Sequence, residues 1–325
     1  MKQEILRLLK EENGYISGQA LCDRFQVSRT AVWKAVRQLE EEGYAIEAVR
    51  NRGYRLTGCP DRLTEEELGA AIRGWAGRSI CYREETESTN DLAKKLAAEG
   101  CPEGTLVTAD YQSAGKGRRG RAWSSPKGEA VYMSLVLRPD LPPASASMVT
   151  LVGAMAVTAA VGRETGLSCQ IKWPNDVVSG GRKVCGILTE MSAELDCIHY
   201  IVMGVGINTG QREFPEELRE KATSLLLECG RPVNRCRLAA AVLEEFEGLY
   251  ARFLEDGDLR GLAAEYNSRL AGLSREVRIL DPAGAYTGVS RGIDEEGGLL
   301  VEMDGGDTRR VVSGEVSVRG LYGYV

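Results

Sequence analysis

The chain has one histidine in 325 residues, and that scarcity removes several chemistries at once. Ser-His-Asp and Cys-His catalysis both need an imidazole base, and histidine is the commonest metal ligand. His199 stands in the apolar run Cys197-Ile198-His199-Tyr200-Ile201-Val202-Met203, where a structural role is expected rather than a catalytic or metal-binding one. Paired cysteines are also lacking. Nine occur singly with no C-x-x-C, which fits reduced thiols better than a disulfide framework or a zinc site. Met1-Lys2-Gln3-Glu4-Ile5-Leu6-Arg7 has no apolar core, so no signal peptide is expected, and the longest apolar stretch, Met148 to Val161, contains Gly153 and is shorter than a membrane span. The expectation is a cytoplasmic protein of two or three domains, with no membrane partner, repeat or low-complexity tract.

What the chain does have is a cationic loop. Residues 115–121 read Gly-Lys-Gly-Arg-Arg-Gly-Arg, four cations in seven residues of a chain with a formal net charge of -6. The glycines allow close approach of backbone to a ligand, while Lys116, Arg118, Arg119 and Arg121 supply donors suited to carboxylate and phosphate oxygens. A solvated basic loop is the plain alternative. Gly115, Gly117 and Gly120 satisfy G-x-G-x-x-G, but a dinucleotide fingerprint needs a helix opening on its last glycine. Here the chain runs on into the alternating segment Val131 to Leu137, a strand. The Walker pattern fails too, because Arg121 and Ala122 follow Gly120 where Lys and Ser or Thr are required. The loop is therefore expected to join two strands and to order over a ligand.

The first 58 residues carry ten Lys and Arg against eight Asp and Glu, a local balance of +2 within an acidic chain. A helix with apolar Ile5, Leu8 and Leu9 leads to Ser17, a candidate cap for Gly18 to Phe25; Ser28 then caps a longer helix through Glu42. On the latter, Val32, Ala35, Val36 and Leu39 form one stripe, and Thr30, Trp33, Lys34 and Arg37 the opposite face. Ala45 to Val49, the turn Arg50-Asn51-Arg52-Gly53 and Tyr54 to Leu56 complete a hairpin. This is winged helix-turn-helix spacing, with Ser28, Arg29, Thr30, Trp33, Lys34 and Arg37 expected in the DNA major groove and Arg50 and Arg52 at the backbone or minor groove. A small helical domain for protein contacts is the alternative. Thr57-Gly58-Cys59-Pro60-Asp61 reads as a linker, the second domain beginning near Leu63 with a helix capped at Thr64.

Further along, Ser88-Thr89-Asn90-Asp91 reads as a capping box for a helix Asp91 to Glu99. From Gln170 to Leu188 a strand, a turn at Ser179-Gly180-Gly181 and a returning strand carrying Lys183 are expected. Gly204 and Gly206, two apart on one strand face, would leave a flat floor for a ligand. Arg237 to Glu255 and Leu259 to Leu270 read as amphipathic helices, the first with a stripe of Leu238, Val242, Phe246, Leu249 and Phe253. Short alternating segments follow from Val277, separated by turns at Pro282-Ala283-Gly284, Glu295-Glu296-Gly297-Gly298 and Asp304-Gly305-Gly306-Asp307.

Glu87 to Asn90, Gln112 with Ala114 to Arg121 and Trp123, Lys172-Trp173-Pro174-Asn175-Asp176, Lys183 with Gly186-Ile187-Leu188, and Gly204-Val205-Gly206-Ile207-Asn208 occur in the order and spacing of one family. The chain resembles the bifunctional biotin-protein ligases that also act as biotin operon repressors. Lys116 departs from the pattern, standing where many members carry Arg, which keeps the charge but loses the planar fork.

The resemblance implies an α+β multidomain fold: a winged helix-turn-helix (1–60), a mixed-sheet ligase domain of the biotin/lipoate type, class II synthetase-like (61–272), and an SH3-like β-barrel (273–325). It implies that biotin meets Ser88, Thr89, Asn90, Gln112, Lys116, Gly117, Arg118, Lys183, Gly204 and Gly206. ATP and the adenylate would meet Arg118, Arg119, Arg121, Trp123, Asp176, Lys183 and Asn208, with Lys183 and Arg118 catalytic, Asp176 the candidate for Mg²⁺ and Asn208 at the adenine edge. Gln211 to Lys221 would be a second ordering loop. Acyl adenylation suits a chain without a catalytic imidazole, since a carboxylate is already a nucleophile and catalysis amounts to alignment and charge neutralisation. Expected partners are a carrier domain offering a lysine, operator DNA and a second copy in an adenylate-dependent homodimer. A lipoate-protein ligase, or a biotin-sensing regulator without turnover, are the competing readings.

Overall fold

The computed structural model describes all residues except 13, 282, 283, 313–316 and 321–323, so two residues of the turn expected at Pro282-Ala283-Gly284 lie outside the described residues. The chain forms two compact units, Met1–Arg62 and Leu63–Val325.

In the first unit, helices α1 (Lys2–Glu11), α2 (Gly18–Phe25) and α3 (Arg29–Glu41) precede a hairpin of β1 (Ala45–Val49) and β2 (Gly53–Gly58). Both expected caps form: the Ser17 hydroxyl accepts from the Ala20 amide at 3.0 Å and Ser28 from the Ala31 amide at 3.2 Å. Each such cap stabilises a helix by about 1 kcal/mol. Val32, Ala35, Val36 and Leu39 are buried against Ile5, Leu9 and Leu21, so one stripe of α3 makes the core and frees its other face. Strand β2 extends to Gly58 and takes in the first two residues of the expected linker.

The second unit opens with α4 (Glu65–Ala71), whose cap is Thr64. Its main sheet has seven strands in the order β3-β4-β5-β9-β8-β7-β6. These are β3 (Ser79–Thr86), β4 (Thr105–Gln112), β5 (Ala130–Leu137), β6 (Gln170–Lys172), β7 (Asp176–Ser179), β8 (Arg182–Ala193) and β9 (Ile198–Asn208), and only the β3–β4 pair is parallel. The segment Gln170 to Leu188 thus contains three strands rather than two, because residues 173–175 make an extra turn with a cis Trp173–Pro174 bond. The expected turn at Gly180-Gly181 forms with both glycines at positive φ, +54° and +77°, as a two-residue hairpin requires.

One face of the sheet is covered by α5 (Thr89–Ala98), which buries Ala93 and Ala97 on Val107, Val136 and Val202. The other is covered by α6 (Ala146–Thr165) and α8 (Arg235–Asp256), with α7 (Leu225–Cys229) between them in sequence. This double covering is why β5 is buried at every position. Helix α6 is longer than the apolar run expected from sequence, and by length and hydropathy it could cross a membrane; instead, 14 of its 20 residues are buried in the core. Gly153 permits that packing, since a Cβ there would come within 2.7 Å of Met203 Sδ. The stripe Leu238, Val242, Phe246, Leu249 and Phe253 on α8 is buried as expected. The Leu259 to Leu270 segment yields only a short helix, α9 (Ala263–Ser268).

The C-terminal strands β10 (Glu276–Leu280), β11 (Tyr286–Ile293), β12 (Leu299–Glu302), β13 (Thr308–Val311) and β14 (Ser317–Gly320) form one antiparallel sheet in the order β13-β12-β11-β10-β14. Its apolar residues Val277, Ile279, Leu299 and Val301 join the same core as α6 and α8. The Trp173 indole N–H donates to the Gly297 carbonyl at 3.0 Å across that junction.

Candidate active site

The cationic loop connects β4 to β5, as expected, and is itself a small hairpin. Gly117 N–H donates to the Arg121 carbonyl at 2.7 Å and Trp123 N–H to the Gly115 carbonyl at 2.8 Å. Arg119 and Gly120 take left-handed conformations at its tip, and Gly115 has no room for a side chain, because a Cβ would lie 2.6 Å from the Trp123 carbonyl oxygen. The hairpin divides a cleft in two.

The inner pocket, about 50 Å³, is lined by all ten residues expected to meet biotin. Ser88, Thr89, Asn90 and Gln112 are buried. The capping box expected there does not form: α5 begins two residues earlier, at Thr89, and the Ser88 side chain accepts no helical N–H. Gln112 takes over that task. Its Oε1 accepts from the Thr89 amide at 2.9 Å and the Thr89 hydroxyl at 3.1 Å, while its Nε2 donates to Ser125 at 3.0 Å. Ser134, on β5 and not anticipated from sequence, puts its hydroxyl 2.6 Å from Asn90 Oδ1 and 2.9 Å from Thr89 Oγ1. Asn90 Nδ2 in turn donates to Glu190 Oε2 at 2.8 Å and to the Leu188 carbonyl at 3.2 Å. The polar wall is held by its own bonds before any ligand meets it.

The glycine floor differs from expectation. Gly204 makes room for Asn90, since a Cβ there would sit 2.0 Å from Asn90 Oδ1. Gly206 pairs across the strands with Gly186, and both lie under the Trp123 ring, with added Cβ atoms coming within 2.8 Å of it. The indole covers the floor, and its Nε1 is buried without a hydrogen-bond partner among the described residues.

The outer pocket is larger, about 400 Å³, and is lined by all seven residues expected to meet ATP. Lys183 Nζ is 2.6 Å from Asp176 Oδ1, an ion pair without an aligned hydrogen bond, and 5.1 Å from the Trp123 ring centre. Arg118 Nη1 donates to Asn175 Oδ1 at 2.9 Å. Burial pushes the Arg118 pKa below its ordinary value, against the pull of Asp176 and with the push of Arg119 and Arg121. Asn175 is pinned by mutual backbone and side-chain bonds to Ile187, which fixes the carbonyl that Arg118 meets. The Lys183 backbone is clamped to the far loop, donating to the Lys221 carbonyl at 2.8 Å and accepting from Thr223 N–H at 2.9 Å.

Three details depart from expectation. Asn208 is engaged inside the protein, donating to the Thr223 carbonyl at 3.1 Å and accepting from Gln211 Nε2 at 3.1 Å, and Gln211 Oε1 is a buried acceptor without a partner among the described residues. Tyr324, not anticipated from any motif, lines the pocket with its ring 3.3 Å from Lys172 Nζ and its hydroxyl donating to Asp176 Oδ2. His199 is exposed at the start of β9, 3.3 Å from Glu194, and with Cys197 forms a cluster on the β8–β9 hairpin whose donor atoms lie within 4.8 Å of one another. The apolar run around it begins at a surface turn, which leaves the imidazole exposed.

In the first unit, Ser28, Arg29, Thr30, Trp33, Lys34, Arg37, Arg50 and Arg52 are all exposed. Trp33 is 50% accessible, in keeping with its place on the face opposite the core stripe, and Arg37 stacks on it at 5.5 Å while pairing with Glu40 at 3.1 Å. Arg52 stacks on Tyr15 at 5.0 Å, which steadies the wing.

A helix-turn-helix unit joined to a two-chambered, cation-lined cleft defines a class of DNA-associated ligase-type protein, and comparisons with known proteins sharpen it. Residues 2–55 match an HTH domain family, residues 82–208 the Biotin/lipoate A/B protein ligase family and residues 273–319 the Biotin protein ligase C terminal domain. The chain is 38% identical to the bifunctional ligase/repressor BirA of Bacillus subtilis, covering 98% of each chain, and 32% identical to that of Escherichia coli, covering 93% and 92%. It also superposes on a biotin protein ligase from Aquifex aeolicus in complex with biotin and ATP, at 31% identity and a TM-score of 0.66, covering 75% of this chain and 99% of that one. The chain belongs to the family of bifunctional ligase/repressors of the BirA type.

Proposed function

We propose that the chain condenses biotin with ATP to biotinyl-5'-AMP and pyrophosphate, then passes the biotinyl group to a lysine of a carrier domain, in a cytoplasmic setting that suits its nine free thiols. One observation carries the reading: Arg118, Trp123, Asn175 and Lys183 line both pockets, so a substrate in each would meet at two cations. The buried wall of Thr89, Asn90 and Gln112, backed by Ser134, suits a ureido ring, and biotin entering would lift Trp123 from the Gly186–Gly206 floor. The biotin carboxylate attacks the α-phosphorus, the bond to the bridging oxygen breaks, and pyrophosphate leaves past Arg119 and Arg121. Lys183 and Arg118 neutralise the charge that develops. A carrier amine then attacks the anhydride carbonyl, losing a proton as AMP departs. Gln211 Oε1 is the acceptor best able to meet the adenine amino group, alongside Asn208.

Mg²⁺ is the natural companion of ATP, and the buried Asp176 carboxylate, with Oδ1 lacking an aligned hydrogen bond, fits such an ion. It would supply charge neutralisation at the phosphates, Asp176 holding it through one carboxylate. Biotin-dependent exchange between ATP and labelled pyrophosphate tests the ligase reading. Exchange with biotin supports it; exchange with lipoate alone favours the lipoate ligase alternative, and none with either leaves a biotin sensor.

The winged helix (1–60) serves as a repressor module on biotin-gene operators, ahead of the ligase (61–272) and the C-terminal sheet (273–325). A balance of only +2 makes one copy a weak binder, so we propose an adenylate-dependent homodimer that joins two half-sites. Arg37→Ala should weaken an operator gel shift without changing pyrophosphate exchange. A shift that persists unchanged would remove Arg37 from the DNA face.

A further inference from the structure

Lys116 lines the inner pocket, but its ammonium is held by a residue outside that lining. Its Nζ lies 2.6 Å from Asp91 Oδ2 and 2.9 Å from Asp91 Oδ1, on the first turn of α5. Asp91 is also 3.0 Å from Lys94; Lys94 is 2.6 Å from Glu190 on β8; and Glu190 accepts from the Asn90 side-chain Nδ2 at 2.8 Å. Charges alternate along this path, Lys116 positive, Asp91 negative, Lys94 positive, Glu190 negative, and it ends on a side chain that lines the inner pocket. Burial pushes the Asp91 carboxyl upward, but the hydrogen bonds from Lys116 and Lys94 outweigh it and hold the group below the usual range, so Asp91 stays ionised at neutral pH.

Lys116 sits on an arm of the cationic hairpin, bridged to Ala122 across it, so the hairpin moves with its lysine. Two side chains tie that hairpin to opposite walls of the cleft: Arg118 to Asn175 and Lys116 to Asp91. We infer that Asp91 is a positioning residue, a latch that holds the cationic hairpin down over the inner pocket and so sets how fast biotin enters and how fast the adenylate escapes. The inference rests on the proposed ligase reading and deepens it. Lys116 is 47% and Asp91 36% exposed, and an ion pair so open to water adds little to the stability of the fold. Its influence belongs instead to dwell time, where a small bias in the seating of one loop is read directly as a rate.

The test uses the full chain and compares wild type with Asp91→Asn, Asp91→Glu, Lys116→Ala and the double variant Asp91→Asn/Lys116→Ala. Three quantities are measured: biotin association by stopped-flow tryptophan fluorescence, release of radiolabelled biotinyl-5'-AMP, and kcat for pyrophosphate exchange. Asp91→Asn should raise both association and release about two- to fivefold, in line with an exposed pair, while leaving kcat unchanged. Asp91→Glu should restore most of the wild-type rates. Adding Lys116→Ala to Asp91→Asn should quicken neither rate beyond Lys116→Ala alone, because the two residues act as one contact. Raising the salt concentration should bring the wild type toward the Asp91→Asn rates. Wild-type association or release in Asp91→Asn, or additive effects in the double variant, would overturn the latch. If the wild type itself gives no biotin-dependent exchange, the ligase reading fails and the latch with it, so the two failures are told apart in one assay.

Discussion

The inner and outer chambers of the cleft are built on opposite principles. In the inner one, Thr89, Asn90 and Gln112 are buried, Gln112 is bonded to Thr89, and Ser134 behind them bonds to both Thr89 and Asn90, so the fold orients these groups. In the outer one, Arg118, Arg119, Arg121 and Lys183 bring positive charge to a wider space with few fixed bonds among them. A neutral ring is recognised by the direction of hydrogen bonds, so its wall must be rigid. A triphosphate is recognised mainly by charge, which tolerates movement and becomes effective when water is excluded. The lesson is that recognition and chemistry are divided between a pre-bonded wall and a cationic hairpin, with Lys183 and Arg118 at their border.

Breaking the outer chamber should have the largest effect. Lys183→Ala removes a cation at the meeting point and should lower the rate of adenylate formation by about 100- to 1,000-fold, as the loss of an oxyanion donor does; single-turnover formation of the adenylate measures it. Arg118→Gly removes both a cation and the tie to Asn175. Hydrogen bonds involving charged groups contribute about 1.5–3 kcal/mol. Escape of biotinyl-5'-AMP should therefore quicken by roughly 10- to 100-fold, read as non-specific labelling of added proteins; a variant that is slow yet keeps its adenylate would assign Arg118 to catalysis alone.

In the inner chamber the effects should be smaller and of a different kind. Gln112→Ala leaves the Thr89 amide and hydroxyl without their acceptor, a penalty of about 1–3 kcal/mol, and should appear as weaker biotin binding by calorimetry. Ser134→Ala removes one neutral hydroxyl and should weaken biotin binding by about 0.5–1.5 kcal/mol. An equal loss of ATP binding in either variant would blur the division between the chambers.

Much of this was legible in the sequence, and the exceptions have physical causes. The stripe Val32, Ala35, Val36, Leu39 and the caps Ser17 and Ser28 are local patterns, and they fold as read. The residues expected at each chamber line it, because the motifs that carry them are contiguous blocks. What could not be read depends on contacts distant in sequence. Gln112 replaces the expected capping box by bonding Thr89 from 23 residues away, and Ser134 reaches Asn90 across 44. Trp123 occupies the floor that the glycines leave, which only the path of the hairpin decides. A polar residue facing inward in the apolar run Val131 to Leu137 was the one available hint for Ser134; Tyr324 offered none.

The most direct test of the division is a steady-state comparison of Gln112→Ala and Lys183→Ala in biotin-dependent pyrophosphate exchange, with biotin varied at saturating ATP. Gln112→Ala should raise the KM for biotin with kcat nearly unchanged, and Lys183→Ala should lower kcat with the KM for biotin nearly unchanged. If both substitutions move the same parameter, the two chambers do not divide recognition from chemistry.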